Sequence, residues 1–290
     1  MPARKLDLWL YSAPFLIVVG VFVFYPLAAN VWFSFYSFSA FSQEMRPVGL
    51  ENYRRLLTDP VMLTAFVNVG LYAAISVLVQ VGFGLVLAAI LSQAFLGRWA
   101  GILRTLFFVP VVMSITVIAF VFTFFYDPMT GLLNMALEEM GLRSWTRAWL
   151  GQSGTAIYAV IAVSQWQSVG YVMMLFIVAI QGIPRDLYEA AELDGAGPIA
   201  QFMHITVPQV RDMLIVATVV TVTGSITVFS EPYILTGGGP GHASTTLATH
   251  MYRSAFFRDE MGYAAAIASV IFVATMIVSL VQLRIFGRAR

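Results

Sequence analysis

Glu189, Glu192 and Asp194 stand close together beside Gly195 and Gly197, inside a chain otherwise poor in charge. Carboxylates grouped this way suit pairing with basic groups on another protein. Catalysis is a weaker reading, because no convergent set of His, Asp or Glu stands at the edge of an apolar run to supply acid and base. A second group of polar residues lies inside apolar sequence. Ser164, Gln167, Ser168 and Tyr171 fall on one helical face at 3.6 residues per turn, as do Thr221 and Ser225. These groups can exchange hydrogen bonds with a polar solute or with one another across helices.

The elements that carry them are set by composition. Of 290 residues, 59% are hydrophobic and 11% charged, against about 25% charged in an ordinary soluble protein. Backbone groups left unpaired in lipid are so costly that such a chain crosses the membrane as helices of roughly 20 apolar residues. Six stretches qualify: Leu8 to Trp32, Leu63 to Leu91, Leu103 to Tyr126, Thr155 to Ile180, Met213 to Leu235 and Tyr263 to Leu283. The expected fold is therefore an all-α integral membrane protein with six transmembrane helices. The first run follows Arg4 and Lys5 but is too long for a secretory signal, so it reads as an uncleaved span.

An even number of spans puts both termini on one side. Nine Arg and Lys residues fall on the terminal side and seven on the other, which favours termini inside. Arg284, Arg288 and Arg290 crowd the end of the last span, where anionic headgroups would hold them. The outer loops are then Ser37 to Met62, Asp127 to Gly154 and Thr236 to Gly262, the second with a short helix over Leu132 to Met140. No short repeat, soluble second domain or pair of inverted halves is visible, so residues 1–290 read as one membrane domain.

A net charge of +1 offers nothing to nucleic acid. The absence of cysteine removes disulfides and thiolate sites. His204, His242 and His250 lack the spacing of a metal site and read as solvated loop residues. Lys5 is the only lysine, and no glycine-rich loop precedes it, so the chain has no phosphate-binding P-loop of its own.

The acidic island lies between the fourth and fifth spans. Pro184 suits the first turn of a helix, and Asp186 complements the positive end of its dipole. That helix runs through Ala190 and Ala191 to Asp194-Gly195, where glycine accepts the left-handed conformation. Gly197-Pro198 starts a second helix carrying Phe202 and Ile205 and ending before Pro208. The product is a surface helix-turn-helix able to dock into a cleft, or an ordinary amphipathic loop of the same composition.

At these residues the chain resembles the permease subunits of ATP-binding-cassette importers, whose EAA motif is matched by Glu189-Ala190-Ala191, Asp194-Gly195-Ala196, Ile205 and Pro208. The resemblance implies a type I importer permease fold, its core over about 63–283 and its cytoplasmic coupling segment over 184–208. It implies that Glu189 meets the ATPase surface, Gly195 forms the tight turn and Phe202 anchors the second helix. Tyr25-Pro26, Val48 to Tyr53, Leu235 to Pro240 and Tyr252 to Phe256 resemble the carbohydrate-uptake branch, its maltose- and glycerol-3-phosphate-type permeases in particular.

That resemblance implies a second permease subunit, a dimer of ATPases that binds the ATP and Mg, an extracytoplasmic solute-binding protein and a sugar-like solute. It also implies a bacterial or archaeal cytoplasmic membrane, no cofactor in this chain and no catalysis by it. The substrate path would be lined by Ser164, Gln167, Ser168, Tyr171, Thr221 and Ser225, although serines and threonines also hold helices together in membranes. Glu231, near the outer end of the fifth span, is costly enough in lipid to need water or a partner and is a candidate outer gate. The rival reading is an ion-coupled secondary transporter or channel, which would want ionisable groups at mid-membrane where these spans hold almost none.

Overall fold

The computed structural model describes residues 3–42, 44–93 and 96–287, with side chains over residues 11–42, 44–93 and 96–284. Arg4, Lys5, Arg288 and Arg290, counted above for orientation, lie outside the residues so described. The chain forms two compact units. One comprises Met1–Met62 with His250–Val273, the other Leu63–Thr249 with Ala274–Arg290.

The first unit opens with α1 (Ala3–Val19) and α2 (Tyr25–Phe33), joined through a wider π turn at Gly20–Phe24. The helix runs on through this turn without a free end, and the wider turn, in which the Tyr25 N–H reaches back to the Gly20 carbonyl, makes room for the Pro26 ring. The stretch Tyr11–Phe33 is apolar all round and unburied by its own chain, as a helix facing lipid or another subunit must be. A short antiparallel pair follows, β1 (Tyr36–Ser37) against β2 (Arg46–Pro47), and then α3 (Glu51–Thr58). Asn52 ties this turn together by donating to the carbonyls of Ser34 and Tyr36 at 2.8 and 3.0 Å.

Asp59, directly after α3, is the polar centre of this unit. Its carboxylate accepts from Tyr263 Oη at 2.6 Å and lies 3.0 Å from His250 Nε2. Arg55 places its guanidinium 4.1 Å from the Tyr263 ring centroid and makes a two-bond pair with Glu260. His250 is only 1% exposed, which corrects the expectation of a solvated loop histidine: α15 (Leu247–Phe256) turns it inward, onto the carboxylate.

The second unit is built around α9 (Ala156–Gln181), an unbroken helix about 39 Å long. It packs on α5 (Gly84–Leu91), on α6 (Arg98–Val112) and on the π turn Val77–Phe83 that joins α5 to α4 (Pro60–Ser76). Small residues allow the close approach. A Cβ on Gly170 would collide with the carbonyl of Phe107, and one on Gly84 would meet the backbone of Met173 at 3.5 Å. Inside the bilayer, where lipid is as apolar as leucine, such packing and buried hydrogen bonds hold helices together.

Among the described residues, four helical stretches are long and apolar enough to cross a membrane, and up to six if each bent pair is one span. Two of the six expected spans are broken within their length. The third breaks between α6 and α7 (Ile115–Phe125), which meet at 100°. Pro110 lies in the last turn of α6, and Met113 and Ser114 are extended. The fifth ends as α13 (Arg211–Ile226) and resumes as α14 (Ser230–Thr236). Pro232 has no N–H to give the Val228 carbonyl, and Thr246 Oγ1 donates to that carbonyl instead at 2.8 Å. The outer short helix, α8 (Leu132–Glu139), is where it was expected.

The glycine-rich run after α14 is firmly held. Gly237 closes the helix in the left-handed conformation at φ 58°. Thr245 Oγ1 donates to Gly238 O at 2.9 Å, and Asn68 of α4 donates to the carbonyls of Ala243 and Thr245 at 3.0 and 2.9 Å.

Candidate functional sites: an exposed acidic hairpin and a polar chamber

The acidic island folds as two helices. α10 (Arg185–Leu193) starts after Pro184 and ends at Asp194. The Gly195 N–H then bonds the Glu192 carbonyl at 3.0 Å and the Ala196 N–H bonds the Ala191 carbonyl at 2.8 Å. This is the Schellman pattern, and it needs the left-handed residue that Gly195 supplies at φ 77°. Gly197 then caps α11 (Pro198–Gln201), with Pro198 in the first position.

The second helix does not stop before Pro208. It widens into a π turn at Phe202–Thr206 and continues as α12 (Val207–Gln209), so Pro208 lies within it. The Val207 N–H reaches back five residues to the Phe202 carbonyl, and the wider turn makes room for the Pro208 ring. The break comes two residues later, at Val210, where Pro198–Gln209 meets Arg211–Ile226 at 72°.

The two faces of this hairpin differ. Tyr188, Phe202 and Ile205 turn inward onto the buried cluster that includes Ile183, Phe176 and Val210. Tyr188 Oη and Thr206 Oγ1, 2.9 Å apart, join the helices. Glu189, Ala190, Glu192, Asp194 and Gly195 are exposed, while Ala191 and Ala196 are half-buried. Leu193 is 91% and Ile199 80% exposed on the same hairpin. Neither apolar residue was singled out from the sequence, although a leucine and an isoleucine amid charge were visible there.

The second site lies where α9 passes the break between α13 and α14. One chamber of about 240 Å³ is lined by Ser164, Ser168 and Tyr171 of α9, Thr221 and Ser225 of α13, and Glu231 of α14. A second, of about 370 Å³, adds Gln167 and Ser230 and shares Ser168, Tyr171 and Glu231 with the first. All seven polar residues singled out in these spans are thus brought together. The break in the fifth span is what places the Glu231 side chain at the chamber wall rather than along a continuing helix.

Gln167 also donates to the Met113 carbonyl at 3.3 Å, one of the backbone groups freed by the bend between α6 and α7. Ser225 Oγ, by contrast, turns back to its own helix at the Thr221 carbonyl. The buried Thr221 hydroxyl finds no partner among the described residues.

Tyr72, Ser76 and Gln80, which were not anticipated from the sequence, line the smaller chamber from the opposite side. With Asn68 they recur every four residues along the helix Pro60–Leu91, a polar stripe on one face that periodicity could have found.

Known proteins are similar to this chain in sequence and in fold. Residues 80–290 match a family model described as binding-protein-dependent transport system inner membrane component. The chain is 54% identical over 283 residues to the "Probable ABC transporter permease protein YurN" of Bacillus subtilis (strain 168), covering 98% of this chain and 97% of that protein. It is 32% identical over 283 residues to the trehalose/maltose transport system permease protein MalF of Thermococcus litoralis, covering 97% and 94%. Among solved structures, a bacterial ABC transporter involved in the import of the acidic polysaccharide alginate superposes with a TM-score of 0.84 at 22% identity, over 99% of this chain and 96% of that one.

Proposed function

The chain belongs to the binding-protein-dependent transport system inner membrane components and is a permease subunit of an ABC transporter; on that premise we propose that it imports a sugar or sugar-like solute, with the polar chamber as substrate path and the acidic hairpin as the coupling element. A second permease completes the path, an extracytoplasmic binding protein delivers the solute, and a dimer of ATPase subunits binds ATP and Mg and hydrolyses the nucleotide. The membrane is the cytoplasmic membrane of a bacterium or archaeon, with both termini inside.

The observation that carries this reading is the connection between the two sites within one unit. The hairpin over residues 185–209 is continuous with α13, whose Thr221 and Ser225 line the chamber. Its exposed residues include Glu189, Glu192 and Asp194 together with the bare side chains of Leu193 and Ile199, which suit a partner that offers both basic and apolar groups. Movement of an ATPase against it is transmitted through the 72° joint at Val210 to α13 and its chamber. Alternating access then follows: nucleotide closure opens the chamber outward to the binding protein, and hydrolysis resets it. The chamber's hydroxyls, amides and Tyr171 ring are the hydrogen-bonding and stacking groups that a polyhydroxylated solute needs.

Purification of the tagged chain in mild detergent, followed by mass spectrometry and reconstitution, tests the proposal. A second permease and a P-loop ATPase should co-purify, and uptake of a radiolabelled oligosaccharide panel should need ATP and the binding protein. Solute uptake by the chain alone, without ATP, would overturn it in favour of a secondary transporter.

A further inference from the structure

The two chambers are lined by one carboxyl group, that of Glu231. Among the described residues that line them, Glu231 is the only ionisable group other than tyrosine, and no lysine, arginine or histidine faces either space. Glu231 lines both, at the place where they meet beside Ser168 and Tyr171. Ser164 and Tyr72 line the smaller chamber with it. Tyr72 is 2% exposed and Thr221 6%, and neither hydroxyl has a hydrogen bond of ordinary geometry. Buried hydroxyls without partners are rare because they forfeit their hydrogen bonds. Here two of them border a space in which a ligand can supply the missing bond.

A carboxylate in a confined, poorly solvated chamber acts over several ångströms, since the dielectric that would screen it is low. It accepts charge-assisted hydrogen bonds from a solute's hydroxyls. It repels a second anion, and among the described residues lining the chambers no cation offsets that repulsion. Resting on the importer reading above, we infer that Glu231 makes this chamber a charge filter, which admits neutral, hydroxyl-rich solutes and turns away phosphorylated, sulfated or uronic ones. Glu231 is therefore a specificity-determining residue rather than only a gate.

The absence of cysteine from the chain allows a direct reading of the chamber's potential without knowledge of the solute. Ser168→Cys, and separately Ser230→Cys, place one thiol in the assembled transporter in nanodiscs. Each is reacted with a cationic trimethylammonium-ethyl and an anionic sulfonatoethyl methanethiosulfonate. Rates are read on this chain by intact-mass spectrometry and divided by those for a free thiol. A carboxylate near the thiol alters its ionisation equally for both reagents, so the ratio of rates isolates the field on the probe.

The expected normalised ratio is about tenfold or more in favour of the cation, falling toward one in Glu231→Gln. A ratio near one with Glu231 intact, or one that Glu231→Gln leaves unchanged, overturns the inference. Uptake assays on the same preparations separate the two claims. Loss of ATP dependence sinks the importer reading and leaves the labelling ratio interpretable, whereas a ratio near one with normal ATP-driven uptake sinks only the charge filter.

Discussion

Gln80 donates its side-chain amide to Gln165 Oε1 at 3.0 Å, and Gln165 passes the connection on to Ser76 Oγ at 3.0 Å and its own Ile161 carbonyl at 3.2 Å. Both glutamines are buried, and they join the helix Pro60–Leu91 to α9 behind the chamber wall. Gln80 itself lines the chamber, so this chain of bonds holds one of its polar groups in place. Gln165→Leu leaves the Gln80 amide without its partner in a dry environment. It should lower stability by about 1 kcal/mol, the scale of interhelical hydrogen bonds in membranes, with insertion intact. Thermal unfolding of the detergent-solubilised chain checks this; an unchanged midpoint would show that the pair contributes nothing.

Gly170 sits where α9 meets α6, and any Cβ there would overlap the Phe107 carbonyl. Backbone cannot yield as a flexible side chain can. Gly170→Ala should therefore cost about 1–3 kcal/mol through overpacking, and Gly170→Val more. The control is Gly224→Ala in α13, where a Cβ meets nothing within 4 Å. Paired melting curves decide the matter, and equal effects at the two positions would refute the packing argument.

The Asp59 carboxyl is held below its usual range. Burial pushes it up, but the bonds from the Tyr263 hydroxyl and the Val61 amide, with the nearby His250, outweigh that. A carboxyl whose folded value is depressed adds stability above its unfolded value, about 3.9. That stability is lost as pH falls from there through the lower folded value. At pH 7 Asp59→Asn should cost about 2 kcal/mol, in line with hydrogen bonds to a charged group. The gap to the parent chain should close below about pH 4. Unfolding midpoints between about pH 3 and 7 test it, and a gap constant across that range would count against the linkage.

The apolar runs, the hairpin's turn and the polar faces of the fourth and fifth spans were legible because each is a local pattern: length, a glycine after a helix, a spacing of three or four. The two breaks were legible only in part: Pro110 and Pro232 mark them locally, but the groups that satisfy the freed carbonyls are distant in sequence. Val228 loses its helical partner at Pro232, but it is Thr246, 18 residues on, that satisfies its carbonyl. The Met113 carbonyl is likewise met by Gln167 from a different helix. His250 was misread for a similar reason, since the carboxylate that draws it inward is 191 residues away. Conversely, the stripe Asn68, Tyr72, Ser76 and Gln80 recurs every four residues in the second span, within reach of the same periodicity that picks out the polar faces of the fourth and fifth.

The acidic hairpin offers the sharpest separation of folding from function. Glu189 is exposed, and a Cβ added at Gly195 would meet no atom within 4 Å, so neither residue supports the core. Glu189→Lys should leave insertion and thermal stability unchanged within about 0.5 kcal/mol, as for ordinary surface substitutions. If an ATPase groove with a basic rim receives this face, the same change should cut ATP-driven uptake at least tenfold while leaving basal hydrolysis by the partner intact. Gly195→Ala adds a conformational cost of about 1 kcal/mol at its left-handed position and distorts the turn between the helices. Leu193→Asp tests the apolar half of the same surface and should weaken co-purification of the ATPase. Normal uptake in all three variants would remove the hairpin from the coupling path, whatever its resemblance to one.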